Sequence, residues 1–230
     1  AIGLLTVATA ALAGAGKIIS IDMVDERLEM AENLGADHTI DMRQHKSMKE
    51  RVEKVNELTN GLGADVVIEC VGAPPAVPEG INMTRRGGKF VEVGHYTDPG
   101  NVEINPHTIC NKDMDILGSW AYPPTQFSTV LELMRLSMGR LHLDKIVTHR
   151  YPVQDTQKAI DNLREVNLKV VLVPVLIGGK NLHETGKIVR FALDNMDIVR
   201  GVNFQPISFC GRVTKLKDDK RSKQRVDYVM

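Results

Sequence analysis

The sequence has 230 residues, of which 43% are hydrophobic and 25% are charged. These fractions are close to globular averages, so they exclude a wholly disordered chain and allow either one large domain or two smaller ones. Because 29 basic residues balance 29 acidic ones, the overall charge gives no reason to expect nucleic acid or an anionic membrane as the main partner.

The sequence lacks the usual signals of membrane insertion, secretion and metal binding. No uninterrupted apolar stretch reaches the roughly 18 residues of a membrane helix, and no basic leader precedes the small apolar residues 1–15. The three cysteines, Cys70, Cys110 and Cys210, do not show the paired spacing of a zinc or iron–sulfur site. We therefore expect a cytoplasmic protein with reduced thiols and no metal site.

Predicted helices and strands alternate along the first two thirds of the chain. An apolar helix over residues 2–14 ends at glycines, and the strand KIISID follows it. Further helices are predicted at 24–35, 48–60, 75–85 and 125–139, and further strands at 36–41, 64–72, 87–94 and 113–120. The segment KIVTHRYPVQDTQKAIDNLRE, residues 145–165, is predicted to give a strand, a break at Pro152 and a last helix. This alternation predicts an α/β fold with a parallel sheet.

Gly3 and Asp22 have the spacing of part of a dinucleotide-binding unit. In such a unit glycines after the first strand let the backbone approach the pyrophosphate, and an acid at the end of the second strand accepts hydrogen bonds from the ribose. Gly3 fits the third glycine of G-x-G-x-x-G, and Asp22 follows 19 residues later. The structural alternative is that both residues are ordinary choices before a helix and at a strand end.

Three later glycines strengthen the cofactor interpretation. Gly72, Gly94 and Gly118 each end a predicted strand. The carboxyl ends of parallel strands form the edge at which open α/β sheets bind ligands. The sequence therefore predicts a ligand site at this edge.

Residues 1 to about 170 resemble the cofactor domain of medium-chain, zinc-type alcohol and polyol dehydrogenases. The resemblance rests on IGLLTVATAALAGAGKIISIDMVDERLEMAENLGADHTID, GADVVIECVGAP, GGKFVEVGHY, INPHTICNKDMDILGSW and HRYPVQDTQKAIDNL, in this order. It implies a Rossmann-type doubly wound parallel sheet, here without its first strand, in an NAD-binding domain over residues 1–168. In the complete enzyme such a domain works in hydride transfer between NAD and an alcohol or polyol.

At the adenosine end of the cofactor, the resemblance implies roles for three residues. Gly3 would match the last fingerprint glycine, Asp22 the acid that holds the ribose, and Arg27 the basic residue beside that ribose. Asp22 favours NAD, because its charge would repel the 2′-phosphate of NADP. The alternative for Arg27 is a surface ion pair with Asp25 or Glu26.

Six more residues at strand ends would line the rest of the cofactor. Val71 and Gly72 would lie along its length, Val93 and Gly94 near the nicotinamide, and Gly118 and Ser119 near the carboxamide. His95 follows a strand-ending glycine, so one alternative places it at the border of the active site; it is interpreted as a hydrogen-bonded loop residue. No catalytic residue is assigned, because in this family the catalytic zinc and the proton relay belong to an N-terminal domain that we expect to be missing here.

The missing first strand would be the central strand of the sheet order 3-2-1-4-5-6. The strands at 17–21 and 65–70 would then each lack a neighbour, and unpaired buried backbone groups are costly. One hypothesis is that the apolar segment KVVLVPVL, residues 169–176, fills the central position.

Residues from about 167 onward fit the dehydrogenase pattern poorly. The segments NLKVVLVPVLIGGKNLHETGKIVRFALDN and VRGVNFQPISFCGR resemble the later half of a radical S-adenosylmethionine enzyme. The cysteine triad that would hold the iron–sulfur cluster is not in the sequence. We therefore expect residues 169–230 to form a partial β/α extension, either an idiosyncratic one or a fragment joined in a chimeric reading frame.

Three hypotheses for function remain open at this stage. The first is an NAD-binding domain of a dehydrogenase that does not turn over alone. The second is a non-catalytic module that forms homo-oligomers through the sheet edge near residues 115–120. The third, that residues 169–230 are the functional part, is opposed by the absent cysteine triad.

Overall fold

The computed structural model describes residues 1–137, 139 and 143–207. The chain divides into two compact units, residues 1–148 and the residues from His149 onward. The predicted domain boundary, at residue 168, lies further along the chain. Cys210 and the charged tail KLKDDKRSKQR lie outside the described residues.

In the first unit, helices and strands alternate as the sequence predicts. The helices are α1 (Ile2–Leu12), α2 (Asp25–Asn33), α3 (Met48–Leu58), α4 (Ala76–Met83), α5 (Pro106–Lys112) and α6 (Gln126–Ser137), and a 3-10 helix spans Leu143–Ile146. The strands are β1 (Ile19–Asp22), β2 (His38–Asp41), β3 (Ala64–Glu69), β4 (Thr84–Glu92) and β5 (Asp115–Gly118). Helix α5 was not predicted, although Asn105 caps it and Pro106 occupies its first turn.

All strand pairs of the first unit are parallel, in two sheets with the orders β1-β2 and β3-β4-β5. Within the described residues, β1 pairs with β2 alone and β3 pairs with β4 alone, so each of these two strands has one side without a neighbouring strand. This is the expected order 3-2-1-4-5-6 without its central strand, so the predicted lack of neighbours for these two strands is confirmed. The α/β fold with parallel strands is confirmed as well.

Small apolar clusters between helices and strands form the core of this unit. Helix α1 packs on α2 around Val7, Ala8 and Leu34, which explains why α1 is so rich in small side chains. A second cluster joins α3 to both sheets, because Val55 packs with side chains of β1, β2 and β3. The two sheets therefore share one core although no strand pair links them.

A buried ion pair joins α3 to α4. The Arg51 guanidinium donates to both carboxylate oxygens of Glu79 at 2.6 Å and to the carbonyl oxygens of His45 and Lys46. Both charged side chains are largely buried. At the start of α3, Ser47 and Glu50 form a reciprocal capping box.

The second unit contains two short parallel strand pairs and two helices. The helices are α7 (Thr156–Glu165) and α8 (Thr185–Asp194), with 3-10 helices at Val153–Asp155 and Leu182–Glu184. The strands are β6 (Val170–Leu172), β7 (Val175–Leu176), β8 (Val199–Val202) and β9 (Gln205–Pro206). Strand β6 pairs with β8, and β7 pairs with β9.

Two expectations for this region are wrong. The segment KVVLVPVL does not complete the first sheet, since its two halves pair with β8 and β9 and are separated at Pro174, which cannot donate a ladder hydrogen bond. The described residues 143–152 contain no strand: a 3-10 helix spans Leu143–Ile146, and residues 147–152 have no regular secondary structure. None of the helices in the described part of the chain is both long and apolar enough to cross a membrane.

Candidate functional site

The predicted adenosine end lies where β1 ends. The Asp22 carboxylate accepts hydrogen bonds from the amides of Met23 at 2.7 Å and Val24 at 3.1 Å, through Oδ1. Its other oxygen lies 3.6 Å from Nη1 of Arg27. The backbone amides thus fix the orientation of the carboxylate, and Oδ2 is the oxygen left for a ligand and for Arg27.

Arg27 therefore pairs with Asp22, and the expected alternative pairing with Asp25 is not what the structure shows. The Asp25 carboxylate instead accepts hydrogen bonds from Arg43, which also donates to Asp41 at the end of β2. These hydrogen bonds lower the pKa of Asp41 to about 2. Sequence reasoning missed Arg43, which follows a strand-ending acid by two residues.

Gly3 lies in the first turn of α1, near the end of β3. A Cβ atom built on Gly3 would lie 3.7 Å from Cβ of Cys70, an ordinary contact distance. One turn later, Oγ1 of Thr6 lies 3.6 Å from Sγ of Cys70. The N-terminus of α1 is therefore located at the carboxyl edge of the sheet, as a cofactor-binding helix requires.

Gly72 and Gly94, predicted from separate strand ends, are in direct contact. A Cβ atom on Gly72 would overlap the carbonyl group of Gly94, with its carbon at 2.9 Å. A Cβ atom on Gly94 would lie 2.8 Å from the amide nitrogen of Val71 and closer still to Glu69. Gly72 also has a φ of +72°, which side-chain-bearing residues rarely adopt. Both positions therefore require glycine.

Glu69, the last residue of β3, holds this turn in place. Its Oε1 accepts hydrogen bonds from the amides of Val71 at 2.7 Å and Gly72 at 2.9 Å. The Glu69 side chain is only 3% exposed, whereas the Val71 side chain points outward and is 73% exposed. Val71 is thus accessible along the strand-end edge, where a cofactor would pass.

A second carboxylate, Glu92, lies beside Glu69 because the two residues are register partners on β3 and β4. The amide and Nδ1 of His95 lie 3.2 Å and 2.8 Å from Oε1 of Glu92. The other oxygen, Oε2, is buried, and no hydrogen-bond partner is found for it. The donor atoms of Glu69, Glu92 and His95 all lie within 4.8 Å of one another.

The three side chains shift each other's protonation. Burial, and then the neighbouring Glu92 carboxyl group, raise the pKa of Glu69. Burial alone would raise the pKa of Glu92, but the hydrogen bonds with His95 and the neighbouring Glu69 outweigh burial, and the pKa of Glu92 is lowered. The adjacent Glu92 carboxylate raises the pKa of His95. Glu69 is therefore the carboxyl group that keeps a proton longest.

A cavity of about 350 Å³ opens beside this group, at the ends of β4 and β5. Its lining includes three of the four residues predicted for the nicotinamide end. The lining residues are Glu92, Val93, His95, Gly118, Ser119 and Trp120. The amide of Ser119 donates to the carbonyl of Glu92, which ties the two strand ends together, and Tyr96 stacks on Trp120 with ring centroids 4.8 Å apart.

Sequence reasoning found the glycines of this cavity but missed Glu69 and Glu92. The missing signal was the register of two parallel strands, which places acids at equivalent positions side by side. His95 is the hydrogen-bonded loop residue that the sequence predicts.

The arrangement fits a dinucleotide. The half-buried Asp22 carboxylate lies at the end of β1, and the N-terminus of α1 lies at the same edge. The glycine contact after β3 and β4 leaves backbone without covering side chains. These are the features that bind a ribose, a pyrophosphate and a flat ring, respectively.

Comparisons with known proteins agree with this geometry. A family model described as zinc-binding dehydrogenase matches residues 1–135. Sorbitol dehydrogenase of Halalkalibacterium halodurans is 35% identical over 176 residues, which cover 76% of this chain and 49% of the relative. Erythritol/L-threitol dehydrogenase of Mycolicibacterium smegmatis is 33% identical over 176 residues, which cover 75% of this chain and 46% of the relative.

Solved structures give the same result. An alcohol dehydrogenase of Thermotoga maritima matches with a TM-score of 0.65 and 29% identity, covering 72% of this chain and 45% of its own. An alcohol dehydrogenase of Thermus sp. ATN1 matches with a TM-score of 0.61 and 31% identity, covering 72% of this chain and 45% of its own. The chain thus spans about half the length of the curated relatives it matches.

Proposed function

The chain belongs to the zinc-binding dehydrogenase family, and we propose that it binds NAD as the cofactor-binding part of an alcohol or polyol dehydrogenase. The observation that carries the proposal is the contact between Gly72 and Gly94 at the carboxyl edge of the sheet. Two glycines from different strands meet there without side chains, beside a cavity lined by Val93, Gly118 and Ser119.

Each part of this edge has a role in the proposal. The Asp22 carboxylate accepts hydrogen bonds from the adenosine ribose, with Arg27 beside it, and Gly3 lets the start of α1 approach the pyrophosphate. Val71 and Gly72 lie along the cofactor, Val93 and Gly94 lie near the nicotinamide, and Gly118 and Ser119 lie near its carboxamide. Bound NAD supplies the carbon that accepts hydride from the alcohol.

The proposed cofactor is NAD, not NADP, because a 2′-phosphate would meet the negative charge of Asp22. The relatives named for sorbitol and erythritol suggest a small polyol as the substrate of the complete enzyme. In this family the zinc belongs to a domain outside the matched residues, and none of the residue roles proposed for this chain depends on it.

Titration of the folded chain with NADH tests this proposal. Asp22→Asn keeps an acceptor for the amides of Met23 and Val24 but removes the charge, so we expect NADH to bind about tenfold more weakly. Asp115→Asn is the matched control, since Asp115 begins β5 at the opposite edge and should leave binding unchanged. Absence of saturable binding by the folded wild-type chain would overturn the proposal.

A second candidate function is supported by β5. This strand has a single partner among the described strands, and all four of its residues are exposed, including Ile116 and Leu117. An exposed apolar edge strand favours pairing with another copy of the chain. We propose a homo-oligomer formed through this edge, and sedimentation of a Leu117→Lys variant as monomer, against an oligomeric wild type, would support it.

The C-terminal residues 169–230 are proposed to be a separate β/α extension. The described strands β6 to β9 pair only among themselves, which supports this proposal. Their core around Ile198 also includes Ile160 of α7, so it draws in residues that precede 169. A chimeric origin predicts that no single DNA read of the source crosses the codons for residues 160–175. A read that crosses them in frame would show that the junction is genuine.

We also propose a cytoplasmic location. Cys70 and Cys110 carry free thiols, and thiols persist in reducing compartments. Fractionation of the source cells, followed by detection of the chain, would test the location directly.

A further inference from the structure

The wall of the cavity at the ends of β4 and β5 carries a charge that NAD binding does not by itself require. Glu69 and Glu92 are neighbours across β3 and β4, and the imidazole of His95 lies next to both. Glu92 and His95 line the cavity together with Ser119 and Trp120, which are uncharged. This charged group is therefore part of the surface that a cofactor ring would meet.

Because like charges repel each other at this separation, it is easier to ionise one of the two carboxyl groups than both. Glu69 is almost fully buried, and its Oε1 accepts hydrogen bonds from the amides of Val71 and Gly72 at 2.7 Å and 2.9 Å. Its Oε2 has only the longer contact with the Gly72 amide, at 3.2 Å, so Oε2 is the position for a shared proton. A protonated Glu69 would supply the donor that Oε2 of Glu92 lacks in the protein. The pair then carries a single negative charge, which belongs chiefly to Glu92, the more exposed partner.

We propose that the Glu92 carboxylate makes this cavity select the oxidised cofactor, whose nicotinamide ring carries a positive charge, over the neutral ring of NADH. The inference rests on the proposed function, because it needs the nicotinamide in this cavity. It goes beyond that function by assigning a specificity-determining role to a residue outside the predicted cofactor set.

His95 opposes this selection whenever its ring is protonated. The charged and titratable groups around it are Glu69 from β3, Glu92 from β4, and Asp98 from its own loop, with the neutral thiol of Cys70 near Glu69. When His95 is neutral, the net charge of Glu69, Glu92 and His95 is one negative charge. When His95 is protonated, their net charge is near zero. Selection of NAD⁺ should therefore increase as the pH rises through the titration of His95.

The test is the ratio of the NADH dissociation constant to that of NAD⁺, measured by calorimetry at pH 6 and pH 8.5 with EDTA present to exclude bound cations. Removal of one charge near the ring should change this ratio about three- to tenfold. We expect Glu92→Gln to lower the ratio. We expect Glu69→Gln combined with Glu92→Gln to lower it further, because Glu69 alone is able to ionise once Glu92 is neutral.

His95→Gln should change the ratio in the opposite direction. It should raise the ratio at pH 6 and leave it unchanged at pH 8.5. Asp115→Asn, a charge removal at the other edge of the sheet, is the control and should leave the ratio at the wild-type value.

These outcomes separate the inference from the proposed function. Structural damage to the cavity would weaken the binding of both cofactors alike and leave their ratio unchanged. If the ratio stays at the wild-type value in Glu92→Gln and in the double variant, the inference is wrong, whereas the proposed binding of NADH is unaffected by that result. If the folded wild-type chain binds neither cofactor, the inference and the proposed function are both wrong.

Discussion

A Cβ atom on Gly72 would overlap the carbonyl group of Gly94, so β3 and β4 end in backbone-to-backbone contact. The Glu69 side chain stabilises this contact because it accepts hydrogen bonds from the amides of Val71 and Gly72. The carboxyl edge of the sheet, where the proposed site lies, is therefore built at this point from two strand ends without side chains and one buried acid.

The first prediction concerns this contact. Gly94→Ala places a methyl group against the Val71 amide and the Glu69 carboxylate, neither of which can move without breaking the turn. We expect the free energy of unfolding to fall by about 1–3 kcal/mol. Gly118→Ala is the control, because nothing lies within 4 Å of its Cβ position, and it should change stability by less than about 0.5 kcal/mol. Equal losses in urea unfolding of the two variants would contradict the account.

The ion pair between α3 and α4 gives the second prediction. Arg51→Met leaves Glu79 as a buried carboxylate without its partner, which should lower the free energy of unfolding by about 3–5 kcal/mol. Converting both residues, Arg51→Met with Glu79→Leu, should recover part of that loss because no charge is then stranded. Arg135→Met breaks an exposed pair with Glu132 and should change the free energy of unfolding far less, because water screens this pair. A double variant no more stable than Arg51→Met alone would argue against stranded charge as the cause.

The third prediction is a pH dependence of stability. Since burial and the contact with Glu92 raise the pKa of Glu69, the folded chain keeps this proton at pH values where the unfolded chain has lost it. The stability from Glu69 is complete below its ordinary pKa of about 4.3 and is lost as the pH rises through the raised value. The raised pKa of His95 acts in the same direction above about pH 6.5.

Urea unfolding followed by the fluorescence of Trp120, the one tryptophan, measures this dependence. The free energy of unfolding should fall between about pH 5 and pH 8 in the wild type, and less steeply in Glu69→Gln, which keeps the acceptor oxygen for Val71 and Gly72. The lowered pKa of Glu92 adds a loss only on acidification. Identical slopes in the two proteins would show that Glu69 does not hold the proton.

The sequence was sufficient to predict the five strands of the first unit, its α-helices other than α5, and the sheet edge at which the proposed site lies. Strand-ending glycines identify the carboxyl edge because only glycine permits the approach seen at Gly72 and Gly94. Side-chain pairing was harder to predict. The contact of Glu69 with Glu92 depends on strand register, and the hydrogen bonds of Arg43 to Asp25 and Asp41 depend on how β1 and β2 lie together.

The second unit shows a different reason for a wrong prediction. A uniformly apolar segment such as VVLVPVL suits burial on both faces, and burial alone does not identify the sheet that a strand joins. Partners are chosen by the whole topology, and β6 and β7 pair with β8 and β9, which follow them in the chain. Pro174 divides the segment into two short strands, and its position was visible in the sequence.

The most direct measurement of the central claim is a titration of the folded chain with NADH and, in parallel, with NADPH, followed by nicotinamide fluorescence. The account predicts saturable binding of NADH and much weaker binding of NADPH, because the 2′-phosphate would lie against the Asp22 carboxylate at the end of β1. Failure of NADH to saturate, or equal binding of the two cofactors, would contradict it.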